Sequence, residues 1–172
     1  MSDYKTYEVK VWATGTKYWY LHGKCHREDG PAVEFADGSK SWYLNDQLHR
    51  EDGPAIEWAD GTKQWRLNGE LHREDGPARE RANGTKEWWL NGKLHREDGP
   101  AVEWADGTKE WRLNGELHRE DGPAYEDVIG VKEWWLNGEL LTFEEHRQRT
   151  SGQTCNGKIV EIDGIKYKLT EV

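Results

Sequence analysis

The sequence predicts an all-β fold, an elongated, curved, single-layer stack of antiparallel β-hairpin repeats with a C-terminal capping hairpin. Three observations predict it. One heptapeptide recurs at a constant 23-residue step, a second motif recurs at the same step, and each unit carries an Asp-Gly or similar turn between alternating residues. Within a unit, no 3.6-residue periodicity of useful length favours a helix.

The two repeated motifs define the extent of the array. The heptapeptide His-Arg-Glu-Asp-Gly-Pro-Ala occupies residues 26–32, 49–55, 72–78, 95–101 and 118–124. The second motif, Gly-x-Lys-x-Trp-x-Leu, starts at Gly15, Gly38, Gly61, Gly84, Gly107 and Gly130. Because terminal repeats of such arrays are atypical, we predict an N-terminal capping strand over 1–14, the array over 15–140, a linker or loop over 141–157, and a hairpin cap over 158–172.

The charge pattern selects the register of each hairpin. In the unit that begins near residue 77, a two-residue turn would place Arg81 opposite Lys86, two like charges. A three-residue Ala-Asn-Gly loop, the equivalent of Ala-Asp-Gly in other units, instead places Arg79 opposite Glu87. We therefore predict the three-residue loop, a type I turn followed by a glycine bulge, which also exchanges the two faces of the sheet.

This register separates the residues that are identical among units from those that vary. The identical face is represented by Ala55, Glu57, Lys63, Trp65 and Leu67. A thin sheet needs large rings to bury apolar area, so we expect the identical face to be the core side. Its tryptophan row is Trp19, Trp42, Trp65, Trp88, Trp111 and Trp134.

The opposite face, which varies between units, is rich in Trp, Tyr and Arg. These residue types are enriched in the centres of protein interfaces, so we predict that this face binds a partner. The predicted partner-binding residues are Tyr18, Tyr20, Phe35, Tyr43, Trp58, Arg66, Arg79, Arg81, Trp89, Trp104, Arg112, Tyr125 and Trp135. The alternative is that they pair with one another within the sheet, as Arg81 near Trp89 would by a cation–π contact.

The composition constrains the class of partner. Charged residues make up 33% of the chain, a value typical of disorder when aliphatic residues are few, but 11 Trp and 7 Tyr can form a thin aromatic core. The net charge of −9 disfavours direct binding to nucleic acid, whose phosphates need a basic surface. We expect a protein partner, with a basic one favoured, and the charge leaves imitation of nucleic acid open.

The cysteines and the chain's hydropathy bear on its compartment. Cys25 occupies a position that is Leu in the other units, and together with Cys155 it does not make a disulfide framework. No run of 18 apolar residues and no signal peptide is present. We therefore expect a cytoplasmic protein without a membrane span, in a bacterium or in the host of a phage, and a homodimer remains open.

The repeated heptapeptide offers an acid, a base and a cation together, as at His72, Arg73, Glu74 and Asp75. These offsets match no standard zinc spacing, and an active site needs one unusual environment rather than five equivalent ones. We therefore predict a structural role and no catalytic residue, cofactor or metal. In that role Asp caps the turn, Arg and Glu pair between units, and Leu71 with His72 covers the tryptophan row.

These motifs resemble the MORN repeat in the variant found in bacterial antitoxin-like and phage proteins. The shared features are the 23-residue step, Asn-Gly-x-x-His as at 68–72, and Ala-Asp-Gly-x-Lys-x-Trp as at 59–65. His-Arg-Glu-Asp-Gly-Pro-Ala stands where that family usually has Tyr-x-Gly-x-Trp. The resemblance implies a curved stack of hairpins that acts as a scaffold or partner-binding surface, and it implies no catalytic residues.

Three hypotheses of function follow. The first is a non-enzymatic protein-binding module, such as a bacterial or phage inhibitor or antitoxin that occludes a macromolecular partner. The second is a structural or virion component that assembles through repeat edges, against which the atypical terminal units argue. The third is a metal-dependent hydrolase that uses the His-Arg-Glu-Asp loops, which metal analysis of the purified protein would test.

Overall fold

A computed structural model of the 172-residue chain describes residues 5–151, together with the backbone of two strands at 159–162 and 165–168. Within these residues there are 24 β-strands and one α-helix. All 24 strands are two to five residues long, because each repeat packs two turns and a connecting loop into 23 residues.

In chain order the strands are β1 (Glu8–Val11), β2 (Lys17–Leu21), β3 (Lys24–Cys25), β4 (Val33–Glu34), β5 (Lys40–Ser41), β6 (Tyr43–Leu44), β7 (Gln47–Leu48), β8 (Ile56–Glu57), β9 (Lys63–Gln64), β10 (Arg66–Leu67), β11 (Glu70–Leu71), β12 (Arg79–Glu80), β13 (Lys86–Glu87), β14 (Trp89–Leu90), β15 (Lys93–Leu94), β16 (Val102–Glu103), β17 (Lys109–Glu110), β18 (Arg112–Leu113), β19 (Glu116–Leu117), β20 (Tyr125–Glu126), β21 (Lys132–Leu136), β22 (Glu139–Leu141), β23 (Ile159–Ile162) and β24 (Ile165–Lys168). The helix α1 (Phe143–Ser151) lies between β22 and β23.

The main sheet has 14 antiparallel strands, and its order follows the chain from β1 at one end to β22 at the other. Each internal unit adds one hairpin to it, for example β8 with β9 and then β12 with β13. A second, shorter hairpin, such as β10 with β11, completes the unit. The predicted all-β stack of antiparallel hairpins is confirmed.

The first turn of each unit has the predicted three-residue form. In the third unit the Trp58 N–H donates to the Thr62 carbonyl at 2.9 Å, and the Gly61 N–H donates to the Trp58 carbonyl at 3.0 Å. Gly61 has φ +91°, which suits the glycine bulge that follows a type I turn. Arg79 therefore lies opposite Glu87, as the charge pattern predicted.

The second turn of each unit has two residues, which are Asn-Gly in the third to sixth units, His22-Gly23 in the first and Asn45-Asp46 in the second. Asn68 (φ 51°) and Gly69 (φ 88°) both adopt positive φ, the signature of a type I′ turn, and pair Arg66 with Leu71 across β10 and β11. Directly opposite residues share a face of a sheet, so Leu71 lies on the side of Arg66. The expectation that Leu71 covers the Trp65 row was wrong, because it overlooked this second register.

Hydrogen bonds between turns hold successive units together. The Thr62 hydroxyl accepts the Ala82 N–H of the next unit's first turn at 3.1 Å. His72 Nδ1 accepts the Asn91 N–H of the next unit's second turn at 3.2 Å. Ser39 and Thr85, and His26, His49, His95 and His118, repeat these two bonds along the array. Each unit therefore satisfies backbone donors of the following one.

The identical face is covered by the heptapeptide loops. The guanidinium carbon of Arg73 lies 4.1 Å from the centre of the Trp65 ring, and equivalent arginines cover Trp19, Trp42, Trp88 and Trp111. A Cβ at Gly76 would lie 2.9 Å from the same guanidinium carbon. Glycine is needed there because the arginine occupies the space that a side chain would take.

Burial is not confined to the identical face. Ala55 and Ala78 are fully buried, while Trp65 is half-buried. On the varying face Gln64 is 8% exposed and Glu87 is 5% exposed. The expectation of a single core side was therefore too simple, since longer neighbours on the same face cover the side chains at the strand centres.

The predicted loop over 141–157 was wrong for its described part, because Phe143–Ser151 is helical. Thr142 and Glu145 form a capping box at its start. The Thr142 N–H donates to Glu145 Oε2 at 2.9 Å, and the Glu145 N–H donates to Thr142 Oγ1 at 3.3 Å. The Thr-x-x-Glu spacing was visible in the sequence, but the polar composition of the segment hid it.

The helix covers the last tryptophan of the array. The ring of Phe143 meets that of Trp134 edge-on, with the centroids 5.4 Å apart. His146 is buried, and its Nε2 lies 2.7 Å from the Arg119 carbonyl oxygen, to which it donates. Earlier units use an arginine eight residues after the Trp, whereas Trp134 has Thr142 at that position. The helix supplies the missing cover.

The predicted C-terminal hairpin is present, as β23 and β24 pair with Ile162 opposite Ile165. Its Asp163-Gly164 turn lies outside the described residues, as do Cys155 and residues 1–4 of the predicted N-terminal cap.

Replacing Thr142 by Ala should lower the free energy of unfolding by about 0.5–2 kcal/mol, because the capping box loses its hydroxyl. Chemical denaturation measures this change. Thr150→Ala is the matched control, since that hydroxyl only donates back to the His146 carbonyl of the same helix. Equal effects of the two variants would contradict the capping role.

Candidate functional site

The thirteen predicted partner-binding residues lie on one face of the sheet, which we call the variable face. Side chains alternate between faces along a strand, and cross-strand partners share a face. The register joins Gln64 to Arg79 and Glu110 to Tyr125 across neighbouring units. The central row that results is Lys10, Tyr18, Val33, Ser41, Ile56, Gln64, Arg79, Glu87, Val102, Glu110, Tyr125 and Glu133.

Two further rows flank the central row on the same face. The row near the first turns, which we call the turn row, is Trp12, Phe35, Trp58, Arg81, Trp104 and Asp127. The row near the second turns is Tyr20, Tyr43, Arg66, Trp89, Arg112 and Trp135. The turn row is the most open: Phe35, Trp58 and Trp104 are 39%, 37% and 41% exposed. The other predicted residues are half-buried, except for the exposed Arg81.

Glu87 anchors the middle of the variable face. Its Oε2 accepts hydrogen bonds from Arg79 Nη1 at 3.0 Å and from Trp89 Nε1 at 3.0 Å, and its Oε1 accepts from Arg81 Nε at 2.9 Å. One buried carboxylate thus fixes the rotamers of three predicted binding residues. Paired and hydrogen-bonded, it meets the conditions under which a charge can be buried.

Carboxylates that accept hydrogen bonds from Arg and Trp side chains recur toward the C-terminal end. Glu110 accepts from Arg112 Nε at 2.8 Å and from Trp104 Nε1 at 3.2 Å. Glu133 accepts from Trp135 Nε1 at 2.9 Å. The sequence prediction did not include these acceptors among the site residues, although they were visible as the cross-strand partners of its aromatic and arginine positions.

The in-sheet pairing offered as the alternative to partner binding is therefore present. Its example needs correction, because Arg81 pairs with Glu87 and the guanidinium nearest the Trp89 ring is that of Arg79, 6.0 Å from the ring centre. Pairing within the sheet and binding of a partner are compatible, because a side chain that donates a hydrogen bond on one side can still contact a partner with its exposed atoms.

An aromatic cluster occupies the N-terminal end of the variable face. Tyr18 and Tyr20 stack with their ring centres 6.2 Å apart, and Trp12 meets Tyr18 edge-on at 6.3 Å. The Lys10 ammonium lies 4.8 Å from the centre of the Tyr20 ring. Trp12 and Lys10 were not predicted as site residues, because they precede the first full motif.

The heptapeptide loops use most of their polar atoms internally. Arg73 Nε donates to Asp75 at 2.8 Å, and Arg73 Nη1 donates to Glu80 of the next unit at 3.4 Å. The hydrogen bond from Arg73 holds the pKa of Asp75 below its ordinary value. The expected pairing of Arg with Glu between units holds, but the acid is Glu80, while Glu74 remains exposed.

These loops leave a regular row of carboxylates in water. We call this row the acidic ridge, and it consists of Glu28, Asp29, Glu51, Asp52, Glu74, Asp75, Glu97, Asp98, Glu120 and Asp121. Between successive loops lie shallow grooves, of which one of about 760 Å³ is lined by Arg73, Trp88 and His95 among others. Across the described residues, no group of three His, Cys, Asp or Glu side chains is placed to hold a metal ion.

Cys25 is half-buried, and burial, followed by the nearby Asp46 carboxylate, raises the pKa of its thiol to about 11. At neutral pH the thiol is therefore protonated, and a thiolate is the form needed for nucleophilic chemistry. This agrees with its position in a row otherwise occupied by Leu48, Leu71 and their equivalents.

Fold and site together define an open β-hairpin repeat protein with one ordered face of aromatic and arginine side chains. The chain matches no protein-family model, and no curated protein matches its sequence. The resemblance to MORN repeats therefore rests on the motifs of the sequence. The single α-helix of the described residues, α1, is not long and apolar enough to cross a membrane.

Glu87→Gln should be strongly destabilising, because it leaves two arginines and an indole around a buried neutral group. The loss of charged hydrogen bonds to a buried carboxylate costs about 1.5–3 kcal/mol, because Arg79 and Arg81 remain partly in contact with water. Urea denaturation measures the difference. Glu74→Gln, at an exposed position, is the matched control and should change stability by less than about 0.5 kcal/mol. A small effect at Glu87 would contradict its anchoring role.

The loop aspartates should contribute to acid sensitivity. Hydrogen bonds from Arg73 and Arg96 lower the folded-state pKa of Asp75 and Asp98, so their stabilisation is complete above the unfolded value of about 3.9 and is lost as the pH falls through the lower folded value. The double variant Asp75→Asn, Asp98→Asn should lose less unfolding free energy than the wild type between pH 5 and pH 2. Parallel profiles would refute this contribution.

Proposed function

We propose that this protein is a non-enzymatic protein-binding module that holds one macromolecular partner against its variable face. In its concrete form it is a bacterial or phage inhibitor or antitoxin that occludes the working surface of its partner. The observation that carries the proposal is the exposed row of Phe35, Trp58 and Trp104, set beside arginines that the sheet holds in place.

The size of the variable face suits a protein partner. Each unit adds two strands, so successive members of a row lie roughly 10 Å apart. The turn row from Phe35 to Trp104 therefore extends for about 30 Å, comparable with the side of the roughly 800 Å² patch that each partner contributes to a standard interface. Exposed aromatic rings in such a patch are typical of residues that dominate binding energy.

Preorganisation supports the same conclusion. Ordering a flexible side chain at an interface costs about 0.5–1.5 kcal/mol. Arg79, Arg81 and Trp89 are already fixed by Glu87, and Trp104 and Arg112 by Glu110. These side chains are ordered when the protein folds, so a partner that docks on this face would not pay the cost of ordering them.

The charge distribution favours a partner with a basic surface. The side chains of Glu74 and Asp75 on the acidic ridge are 86% and 84% exposed, and the equivalent carboxylates of the other loops add to the net charge of −9. Because these loops cover the identical face, their field acts on the long-range approach of a basic protein rather than on contacts at the variable face, and it repels nucleic acid phosphates. A nuclease or a similar enzyme with a positively charged substrate-binding surface would be such a partner.

The two other hypotheses have less support. The helix α1 lies against the last unit, and β1 at the other end carries Glu8 and Lys10, charges that discourage edge-to-edge assembly. The His-Arg-Glu-Asp loops hold neighbouring turns and cover Trp rings, which accounts for their residues without catalysis.

The test is capture followed by reconstitution. Tagged wild-type protein should capture a protein from extracts of its source cell, and the double variant Trp58→Ala, Trp104→Ala should bind the purified partner at least about 100-fold more weakly, because each hot spot contributes about 2 kcal/mol or more. Titration calorimetry measures the affinity. The matched control is Lys63→Ala, Lys86→Ala, which alters exposed residues on the opposite face.

Three outcomes would contradict the proposal. The partner binds the double Trp variant as tightly as the wild type, the captured molecules are small molecules only, or the captured protein is a second copy of this chain. Thermal melts of all variants establish that they remain folded.

A further inference from the structure

One hairpin of the array has an unusual charge. In the second, third and fifth units the residue before the turn glycine is Asp37, Asp60 and Asp106, whereas the fourth unit has Asn83. The Asn83 side-chain oxygen still accepts the Thr85 N–H at 3.0 Å, as Asp60 accepts that of Thr62 at 2.8 Å. The turn keeps its hydrogen bond and loses its negative charge.

The same hairpin concentrates positive charge on the variable face. Arg79 and Arg81 both bind the single carboxylate of Glu87, and Arg66 stands beside Arg79 in the adjoining row. Burial, followed by the positive charge of the neighbouring Arg79, lowers the pKa of Arg66. Arg79 Nε is buried without a hydrogen-bond partner in the described residues. Arg79 and Arg81 thus share one buried acid, whereas Arg66 donates to Gln64 Oε1 at 3.0 Å and to the Gly69 carbonyl at 2.6 Å.

A cleft of about 520 Å³ opens on this cluster. It is lined by Trp58, Asp60, Thr62, Gln64, Arg79, Arg81, Ala82 and Asn83. Trp58 is 37% exposed, and the Arg81 side chain is 43% exposed, with Nε and Nη2 on Glu87. Each therefore offers accessible surface beside the cleft, one an aromatic ring and the other a guanidinium.

We propose that the cleft between Trp58 and Arg81 is a subsite for a carboxylate side chain, Glu or Asp, of the protein partner. The inference rests on the proposed function and specifies what the variable face recognises at its centre. Nε and Nη2 of Arg81 bind Glu87, so Nη1 is the group left to donate a charge-assisted hydrogen bond to the partner's carboxylate. The indole ring of Trp58 packs against the methylene stem of the same side chain.

The charge balance favours a carboxylate over a phosphate. Glu87 and Asp60 offset part of the charge of the three arginines, so the surplus suits a singly charged ligand. Phosphate carries roughly −1.5 to −2 at neutral pH and would also face the field of a chain with net charge −9. A single carboxylate at the centre is compatible with a partner that is basic elsewhere.

Neighbouring positions on the variable face differ, so the subsite also sets the orientation of the partner. Toward the N-terminal end the corresponding positions are the apolar Phe35 and Ile56. Toward the C-terminal end they are Trp104, Glu110 and Tyr125. A partner segment that docks in this direction meets an apolar, a basic and an acidic region in order, and a reversed segment would place its apolar end against Glu110.

Selection from a phage-displayed library of random 12-residue peptides tests the subsite. Peptides enriched on the wild-type protein are expected to carry a Glu or Asp next to an apolar residue. A synthetic copy of one should bind at least about 10-fold more weakly when its acidic residue is changed to Gln, or when the protein carries Arg81→Gln or Asn83→Asp. Asn83→Asp tests charge without disturbing the turn, because three other units have Asp there.

The control variant is Lys86→Gln, which removes a positive charge from the opposite face of the same hairpin and should leave peptide binding unchanged. The proposal is overturned if selected peptides lack acidic residues, if none is enriched above the level seen with Trp58→Ala, or if Asn83→Asp binds as well as the wild type. Tighter binding of a phosphoserine version of the peptide would assign the cleft to phosphate instead.

The outcome also separates this inference from the proposed function. If the captured partner still depends on Trp58 and Trp104 but is insensitive to Arg81→Gln and Asn83→Asp, the subsite fails while the binding face stands. Melting temperatures confirm that each variant is folded, and Gln at position 81 retains a donor for Glu87.

Discussion

A single layer of short hairpins has no second sheet to cover its tryptophans, and the solution to this constraint determines the rest of the structure. Each of the first five units places the arginine of its loop over its own ring, as Arg73 lies over Trp65 at 4.1 Å. Such a contact contributes about 0.5–2 kcal/mol and recurs five times. The contact needs the eight-residue spacing from Trp65 to Arg73 and a glycine at position 76, so this part of the repeat is fixed by the cover.

Because the loops, turns and Trp rows are the same in most units, the units differ mainly on the variable face. Its sequence can differ between units provided that each buried strand centre remains satisfied. Glu87 and Glu110 show how this is done, since each binds the long side chains around it and thereby allows Arg, Trp and carboxylate groups to stand together on one sheet. The buried carboxylates of Glu87 and Glu110 therefore allow different side chains at these positions and also hold those side chains in place.

The sequence predicted the register of the hairpins because the two possible turn types place different charges opposite each other. Only the three-residue turn places Arg79 opposite Glu87. It also placed all candidate residues on one face, because strand alternation has a period of two. It missed burial at Gln64, since burial there depends on the length of neighbouring side chains rather than on its own polarity. The sequence did not predict the helix because its segment lacks hydrophobic periodicity, although the spacing of Thr142 and Glu145 is that of a capping box.

On the proposed function, the acidic ridge and the cleft between Trp58 and Arg81 act at different distances from a partner. Long-range fields depend on net charge, which the ridge dominates, whereas short-range selection depends on the few groups that lie within contact distance. Asn83 shows that the two can be adjusted independently, because an amide oxygen accepts the Thr85 N–H as a carboxylate does but adds no charge. A repeat array can therefore alter what it recognises at one unit by one or two substitutions while every turn, and every Trp with its covering group, remains unchanged.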